Sequence, residues 1–277
     1  MNISGQTKIT GIFGDPVAHS LSPAMHNAAF TYLKLPYIYV PFRVVPAGLR
    51  AATAAIRALS LVGVNITVPH KKDVIPYLDR LDGFAGRCGA VNTIINLNGE
   101  LVGYNTDGPG FTDSLRKDAG FEPAGKKIII LGAGGSARAV ITQLLDEGAA
   151  EIIVINRTVE KAQAIADNLG EKRLTVVPLG AYSPGTASGA HLVVNTLSVP
   201  FRQEGGWLAD FSAVAGALFY DLRYGGMPSD FTYYAGELKS PSMDGRGMLL
   251  YQGARAFRLF CGQEAPLEVM RESLTHS

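Results

Sequence analysis

Ile128-Ile129-Ile130-Leu131 runs into Gly132-Ala133-Gly134-Gly135-Ser136-Ala137-Arg138, the pattern of a buried strand, a glycine turn and the start of a helix. Gly132, Gly134 and Ala137 fill the three positions of G-x-G-x-x-G/A: a tight turn, close approach of a pyrophosphate, and close packing of helix on strand. The helix start presents free N–H groups to an anion. The chemistry such a site serves is hydride transfer with a bound dinucleotide. The next strand, Glu151–Ile155, ends in Asn156-Arg157-Thr158, without the carboxylate that holds a ribose 2′-hydroxyl. Arg157 offers a permanently charged fork to a 2′-phosphate, which favours NADP. Asn156 and Thr158 add neutral hydrogen-bonding groups. Lys161 either adds a further charge or faces solvent on the following helix.

Hydride transfer needs a substrate and a proton, and three polar clusters nearer the N-terminus could supply them. His19-Ser20-Leu21-Ser22-Pro23 sets two hydroxyls at a helix start. Ser22 reads as an N-cap with Pro23 at the first helical position, and the same helix end suits a carboxylate. Gly63-Val64-Asn65-Ile66-Thr67-Val68-Pro69-His70-Lys71-Lys72 alternates Asn65 and Thr67 in an apolar strand, which points both to one face. A helix opening at Pro69 puts Lys71 and Lys72 in its first turn, where the macrodipole disfavours cations. Such lysines are either solvated or held there for a purpose. Gly89-Ala90-Val91-Asn92-Thr93 precedes Gly103-Tyr104-Asn105-Thr106-Asp107-Gly108. Asn and Asp beside Gly form turns, yet a hairpin between these runs would set Asn92 beside Asp107 and make a pocket. His19, His26, His70, His191 and His276 show no metal-binding spacing, so no metal is expected.

The elements that must position these groups alternate along the chain. Lys8–Phe13, Tyr37–Phe42 and Leu61–Thr67 read as strands, with helices over Pro23–Leu33 and Leu49–Leu59, the pattern of βαβ units. Ala90–Leu97 and Glu100–Asn105 flank Asn98-Gly99, a strong hairpin signal, so the first sheet is expected to be mixed. Lys127–Leu131, Glu151–Ile155, Leu174–Val177, Leu192–Asn195 and Leu218–Asp221 form a second strand series, with helices over Ser136–Glu147 and Val159–Leu169. Short apolar strands bounded by glycine predict a doubly wound sheet of Rossmann type. Closing helices over Met248–Cys261 and Pro266–Leu274 are expected to return to the first domain. The resulting α/β organisation is a substrate domain over 1–107 with 245–277 and a dinucleotide domain over 108–244, joined by a helix over Gly110–Ala119.

Composition narrows the class further. In 277 residues, 25 Lys+Arg face 24 Asp+Glu, a net charge of +1 that gives no electrostatic footprint for nucleic acid or an anionic membrane. With 47% hydrophobic and 18% charged residues, the chain can bury a core and is not of disordered composition. No apolar run reaches a membrane span, and Met1–Gly14 lacks a basic-then-apolar leader. Two cysteines, Cys88 and Cys261, make no disulfide framework and fit a reducing cytoplasm.

Together these segments resemble the shikimate dehydrogenase family. Seven fragments fall in family order: Ser20-Leu21-Ser22-Pro23, Gly63-x-Asn65-Ile66-Thr67-x-Pro69-x-Lys71, Ala90-Val91-Asn92-Thr93, Asn105-Thr106-Asp107-Gly108, Gly132-Ala133-Gly134-Gly135, Asn156-Arg157-Thr158, and Asp244-Gly245-Arg246-Gly247-Met248-Leu249 with Gln252. The resemblance implies NADP-linked interconversion of 3-dehydroshikimate and shikimate, with Lys71 and Asp107 as the catalytic pair. It implies that Ser20, Ser22 and Thr67 hold the substrate carboxylate. Asn65, Asn92, Asp107 and Gln252 would meet the ring hydroxyls, with Tyr224 near substrate and nicotinamide. Asn195, Thr196, Gly245 and Met248 would join Gly132–Ala137, Asn156–Thr158 and Lys161 around the cofactor. A small-molecule substrate and a monomer or homodimer are expected. Two segments depart from the family: Asn195-Thr196-Leu197-Ser198-Val199-Pro200 loses a hydroxyl and a glycine, and Tyr224-Gly225-Gly226-Met227-Pro228-Ser229 lacks the usual Tyr-x-Pro-x-x-Thr. A quinate/shikimate dehydrogenase with NAD(P), or a silent nucleotide sensor of the same fold, are the alternatives.

Overall fold

The structure is a computed structural model that describes residues 3–225 and 228–275. Gly226 and Met227, within the second departing segment, and His276 lie outside the described residues. The chain forms two compact units, one comprising residues up to Gly110 and from Leu249 onward, the other Phe111–Met248.

The first unit opens with β1 (Lys8–Gly14), α1 (Ser22–Tyr32), β2 (Tyr37–Arg43), α2 (Leu49–Ala58) and β3 (Gly63–Ile66). It continues with β4 (Arg80–Leu81), α3 (Gly83–Cys88), β5 (Thr93–Leu97), β6 (Glu100–Tyr104) and the start of α4 (Asp107–Ala119). Its sheet has the order β2-β1-β3-β5-β6-β4. β2, β1 and β3 run parallel, while β5 is antiparallel to both β3 and β6, so the sheet is mixed as expected. The Asn98-Gly99 turn has positive φ at both residues, 54° and 99°, the type I′ geometry that matches strand twist. Asn96 Oδ1 accepts the Gly99 N–H at 2.7 Å and fixes it.

The second unit holds β7 (Lys127–Leu131), α5 (Gly135–Asp146), β8 (Glu151–Asn156), α6 (Val159–Leu169), β9 (Leu174–Pro178), α7 (Pro184–Ala187) and β10 (Leu192–Asn195). Then come β11 (Arg202–Gln203), β12 (Gly206–Trp207), β13 (Leu218–Asp221), α8 (Asp230–Glu237) and β14 (Ser242–Met243). Its six-stranded sheet runs β9-β8-β7-β10-β13-β14, all parallel, the doubly wound order with its switch point between β7 and β10. Ile128–Ile130 are fully buried on alternating faces, Ile128 and Ile130 in one cluster and Ile129 in the other, which is why the strand reads as a continuous apolar run. The chain closes with α9 (Arg246–Cys261) and α10 (Leu267–Ser273).

In the first unit, α1, α9 and α10 supply Met25, Phe30, Phe257, Phe260 and Met270 to one core, and α2 and α3 supply Leu49, Ile56 and Ala85 to another. Three local expectations are corrected. Leu21, not Ser22, is the N-cap of α1, because the first helical bond runs from the Met25 N–H to the Leu21 carbonyl; Ser22 and Pro23 are already inside the helix. No regular helix follows Pro69: residues 68–74 form turns. The Lys71 carbonyl accepts from the Val91 N–H at 2.7 Å and is thereby taken out of any helical ladder. Finally, α4 begins at Asp107 rather than Gly110, and the β11–β12 hairpin and α8 lie in a stretch where no element was expected.

Candidate active site

Two of the three N-terminal clusters meet in the first unit. Lys71 Nζ donates to Asp107 Oδ2 at 2.6 Å, with side chains only 12% and 6% exposed. Asp107 opens α4, where a carboxylate complements the helix dipole, and its N–H donates to Asn105 Oδ1 at 2.9 Å. Its other oxygen accepts from Asn92 Nδ2 at 2.8 Å. The carboxylate is therefore held on both sides, one oxygen by the lysine and the other by a neutral amide. The turn carrying Lys71 is pinned from several directions. The buried His70 ring meets the Val44 carbonyl at 2.6 Å through Nε2, the His70 N–H donates to Thr67, and Val68 accepts from Asp15.

Gln252 reaches this network from α9. Its Oε1 accepts from Asn92 Nδ2 at 3.3 Å and from Thr106 Oγ1 at 3.5 Å, while its Nε2 donates to the Leu249 carbonyl. Thr106, to which sequence reasoning gave no role, also accepts from Asn92 Nδ2 at 2.9 Å. Its only sequence signal was its place between two turn formers. Asn65 is used internally. Its Oδ1 accepts from Tyr39 Oη at 2.7 Å, and its Nδ2 donates to Asn92 O and Thr93 Oγ1, so it braces the Asn92 strand from beneath. Ser20 and Ser22 stand at the start of α1, with Ser20 Oγ accepting the Ser22 N–H at 3.3 Å. Thr67 packs its methyl against Gly14, at the end of β1.

The second unit carries the glycine turn at the carboxyl end of β7. Gly132 has φ +107°, and a Cβ there would lie 2.3 Å from Thr196 Oγ1; the fold itself requires glycine. Gly134 differs. A Cβ there would meet nothing within 4 Å, so nothing in the described protein explains its size. It is the N-cap of α5 with no side-chain cap, which leaves the helix N-terminus open to an outside anion. Ala133, Gly135 and Ser136 line the same turn, and Ala137 is fully buried against the core. At the end of β8, Asn156 Nδ2 donates to the Thr158 carbonyl at 2.7 Å and shapes the turn into α6. Arg157 and Lys161 are exposed, and neither has an ion-pair partner among the described residues. The polar groups present fit a dinucleotide with a phosphorylated ribose.

Other residues assigned to the cofactor by resemblance have duties inside the fold. Asn195 is fully buried, with Nδ2 donating to Asp221 and Oδ1 accepting the Leu197 N–H, each at 3.1 Å. Thr196 donates its hydroxyl to the Leu131 carbonyl at 2.7 Å. At Gly245 a Cβ would lie 2.1 Å from the Leu222 carbonyl oxygen, and the Met248 N–H donates to Tyr220 Oη at 3.2 Å. Leu197, where the family has a hydroxyl, packs over Gly132 instead. Tyr224 is 38% exposed beyond β13. Among the described residues no group of three His, Cys, Asp or Glu side chains could hold a metal, and no helix is long and apolar enough to cross a membrane.

The chain matches three family models: the shikimate dehydrogenase substrate binding domain over residues 12–94, shikimate/quinate 5-dehydrogenase over 115–198, and the shikimate 5′-dehydrogenase C-terminal domain over 245–275. It is 44% identical to the shikimate dehydrogenase (NADP+) of Geobacter sp. (strain M21), over 99% of this chain and 97% of that one. It is 45% identical to the enzyme of the same name from Desulforamulus reducens, over 98% and 96% respectively. Among solved structures it is similar to shikimate 5-dehydrogenase from Thermus thermophilus in complex with NADP(H) and shikimate. That likeness has 34% identity and a TM-score of 0.86 over 98% of this chain and 99% of the other.

Proposed function

Because the chain belongs to the shikimate dehydrogenase family, we propose that it interconverts 3-dehydroshikimate and shikimate with NADPH and NADP+, using Lys71 and Asp107 as its catalytic pair. The observation that carries the reading is the buried Lys71–Asp107 contact, backed by Asn92 and reached by Gln252. NADPH, when bound, supplies the hydride that reduces the ketone carbon. The oxygen of that carbonyl gains negative charge as it is reduced and needs a proton. Lys71 Nζ stabilises the charge and gives the proton; in the oxidative direction the neutral amine takes it back from the hydroxyl. Asp107 keeps the amine aimed, and the Asn92 amide keeps the carboxylate from rotating.

Ser20, Ser22 and Thr67 take the substrate carboxylate, and Asn92, Asp107 and Gln252 take ring hydroxyls. A polyhydroxylated ring explains this density of amides and hydroxyls, since each fixed partner rejects an analogue that lacks its hydroxyl. On the cofactor side, the Gly132–Ala137 turn and the α5 N-terminus take the pyrophosphate, and Arg157 with Thr158 and Lys161 takes the 2′-phosphate. Cys88 and Cys261 form no disulfide, and the location proposed for the enzyme is the cytoplasm.

The test is a spectrophotometric assay of shikimate and quinate, each with NADP+ and NAD+. Shikimate with NADP+ is expected to be the best pair. Quinate with NAD+ as the better pair, or no turnover with any pair, would contradict the proposal.

A further inference from the structure

Gly110 lies one turn into α4 from Asp107, and its lack of a side chain has a specific counterpart. A Cβ built at Gly110 would stand 2.5 Å from the backbone nitrogen of Gln252, 2.7 Å from its Cα and 2.7 Å from its Cβ. These atoms belong to the body of α9 and cannot swing aside as a side-chain tip can. Ordinary carbon contacts need about 3.5–4.0 Å, so any side chain at position 110 forces the two backbones apart by about 1 Å.

Gln252 has no slack to absorb that. Its Oε1 already reaches Asn92 Nδ2 at 3.3 Å and Thr106 Oγ1 at 3.5 Å, the outer limit of a hydrogen bond, while its Nε2 is tethered to Leu249 in its own helix. Asp107, by contrast, has no direct hydrogen bond to α9 among the described residues and is fixed by Lys71, Asn92 and Asn105. The glycine therefore controls one distance, that between the helix bearing Asp107 and the helix bearing Gln252.

We infer that Gly110 is a positioning residue that sets how closely Gln252 approaches the Lys71–Asp107 pair, and thereby the fit of the substrate ring's hydroxyls. The inference rests on the proposed function for the identity of the substrate. Displacement of about 1 Å in a binding group weakens the recognition of a ring hydroxyl while leaving the proton-transfer pair in place.

The experiment is steady-state kinetics with shikimate and NADP+ on the full chain, comparing Gly110→Ala, Gln252→Ala and the double variant. Gly110→Ala is expected to raise KM for shikimate about tenfold, to change kcat by a smaller factor, and to leave KM for NADP+ alone. Once Gln252 is truncated, adding Gly110→Ala should change KM for shikimate less than twofold, because the group it misplaces is gone. A merely structural glycine would lower activity equally in both backgrounds. Gln252→Asn retracts the amide by one methylene without disturbing the helix contact, so it reads the same distance even where Gly110→Ala does not fold; it should reproduce the KM effect. Unchanged KM in Gly110→Ala or in Gln252→Asn, or equal losses in the two backgrounds, overturns the inference. Absence of shikimate oxidation in the unsubstituted protein would instead overturn the proposed function.

Discussion

Asp107 is held by three different kinds of partner: an ammonium, an amide and a helix terminus. Removing such a carboxylate strips a nearly buried lysine of its counter-ion, which is why the pair behaves as a unit. Arg157 illustrates the opposite situation, an exposed charge with no ion-pair partner among the described residues. Arg157→Ala is expected to raise KM for NADP+ by about tenfold or more, roughly the worth of one charge-assisted contact, with less than about twofold effect on NAD+. Equal effects on the two cofactors would remove the 2′-phosphate contact. The candidate residues stood out in the sequence for three reasons: lysines set against an expected helix dipole, Asn and Asp beside glycine where a hairpin would bring them together, and an arginine where an acid is usual. Asn65, Asn195 and Thr196 carry the same polar signature, but each spends its hydrogen bonds on the backbone or on a neighbouring side chain. Sequence spacing does not show which of a polar side chain's hydrogen bonds are made inside the fold.

Among the elements, the turn between β7 and α5 separates two reasons for a glycine. Gly132→Ala adds a Cβ to a positive-φ residue against Thr196 and is expected to destabilise the fold, read as a fall in thermal midpoint. Gly134→Ala meets open space, so its thermal midpoint should stay within a few degrees while KM for NADP+ rises. A Gly134→Ala variant with unaltered cofactor KM would show that no pyrophosphate approaches there. Helix α1 presents a different case. His26 is fully buried, stacked on Tyr39 at 4.4 Å and set among Phe30, Phe257 and Phe260, and neither ring nitrogen has a hydrogen-bond partner among the described residues. Burial lowers its pKa from 6.5 to about 3. The unfolded chain thus binds a proton that the folded one refuses. The associated stability is complete above about pH 6.5 and is lost as pH falls toward 3, by at most about 1.4 kcal/mol per pH unit. Urea unfolding at about pH 6 and pH 4 should show this loss, and His26→Phe should lose less stability over the same interval. An identical pH dependence in the variant would place the titration elsewhere.

At the scale of the whole molecule, alternating strand and helix patterns together with the Asn98-Gly99 signal were enough to anticipate a mixed sheet followed by a doubly wound parallel one. These features depend on local periodicity and turn chemistry, which a single sequence displays directly. The β11–β12 hairpin and α8 were not legible. The two strands have two residues each, and α8 is held by tertiary packing of Phe231 and Tyr234 around Phe201, Phe211 and Phe219 rather than by a strong local pattern. The turn at Lys71 was hidden for a related reason: the Val91 N–H that claims its carbonyl lies twenty residues away in the chain. The proposed reaction stands on the Lys71 amine as its proton donor. The most direct measurement is turnover of Lys71→Ala with shikimate and NADP+, alongside its thermal midpoint and a fluorescence titration with NADPH. A fall in kcat of at least ~10², with folding and NADPH affinity retained, is the expected result. Turnover within about threefold of the unsubstituted protein would contradict the assignment of Lys71 as the proton donor.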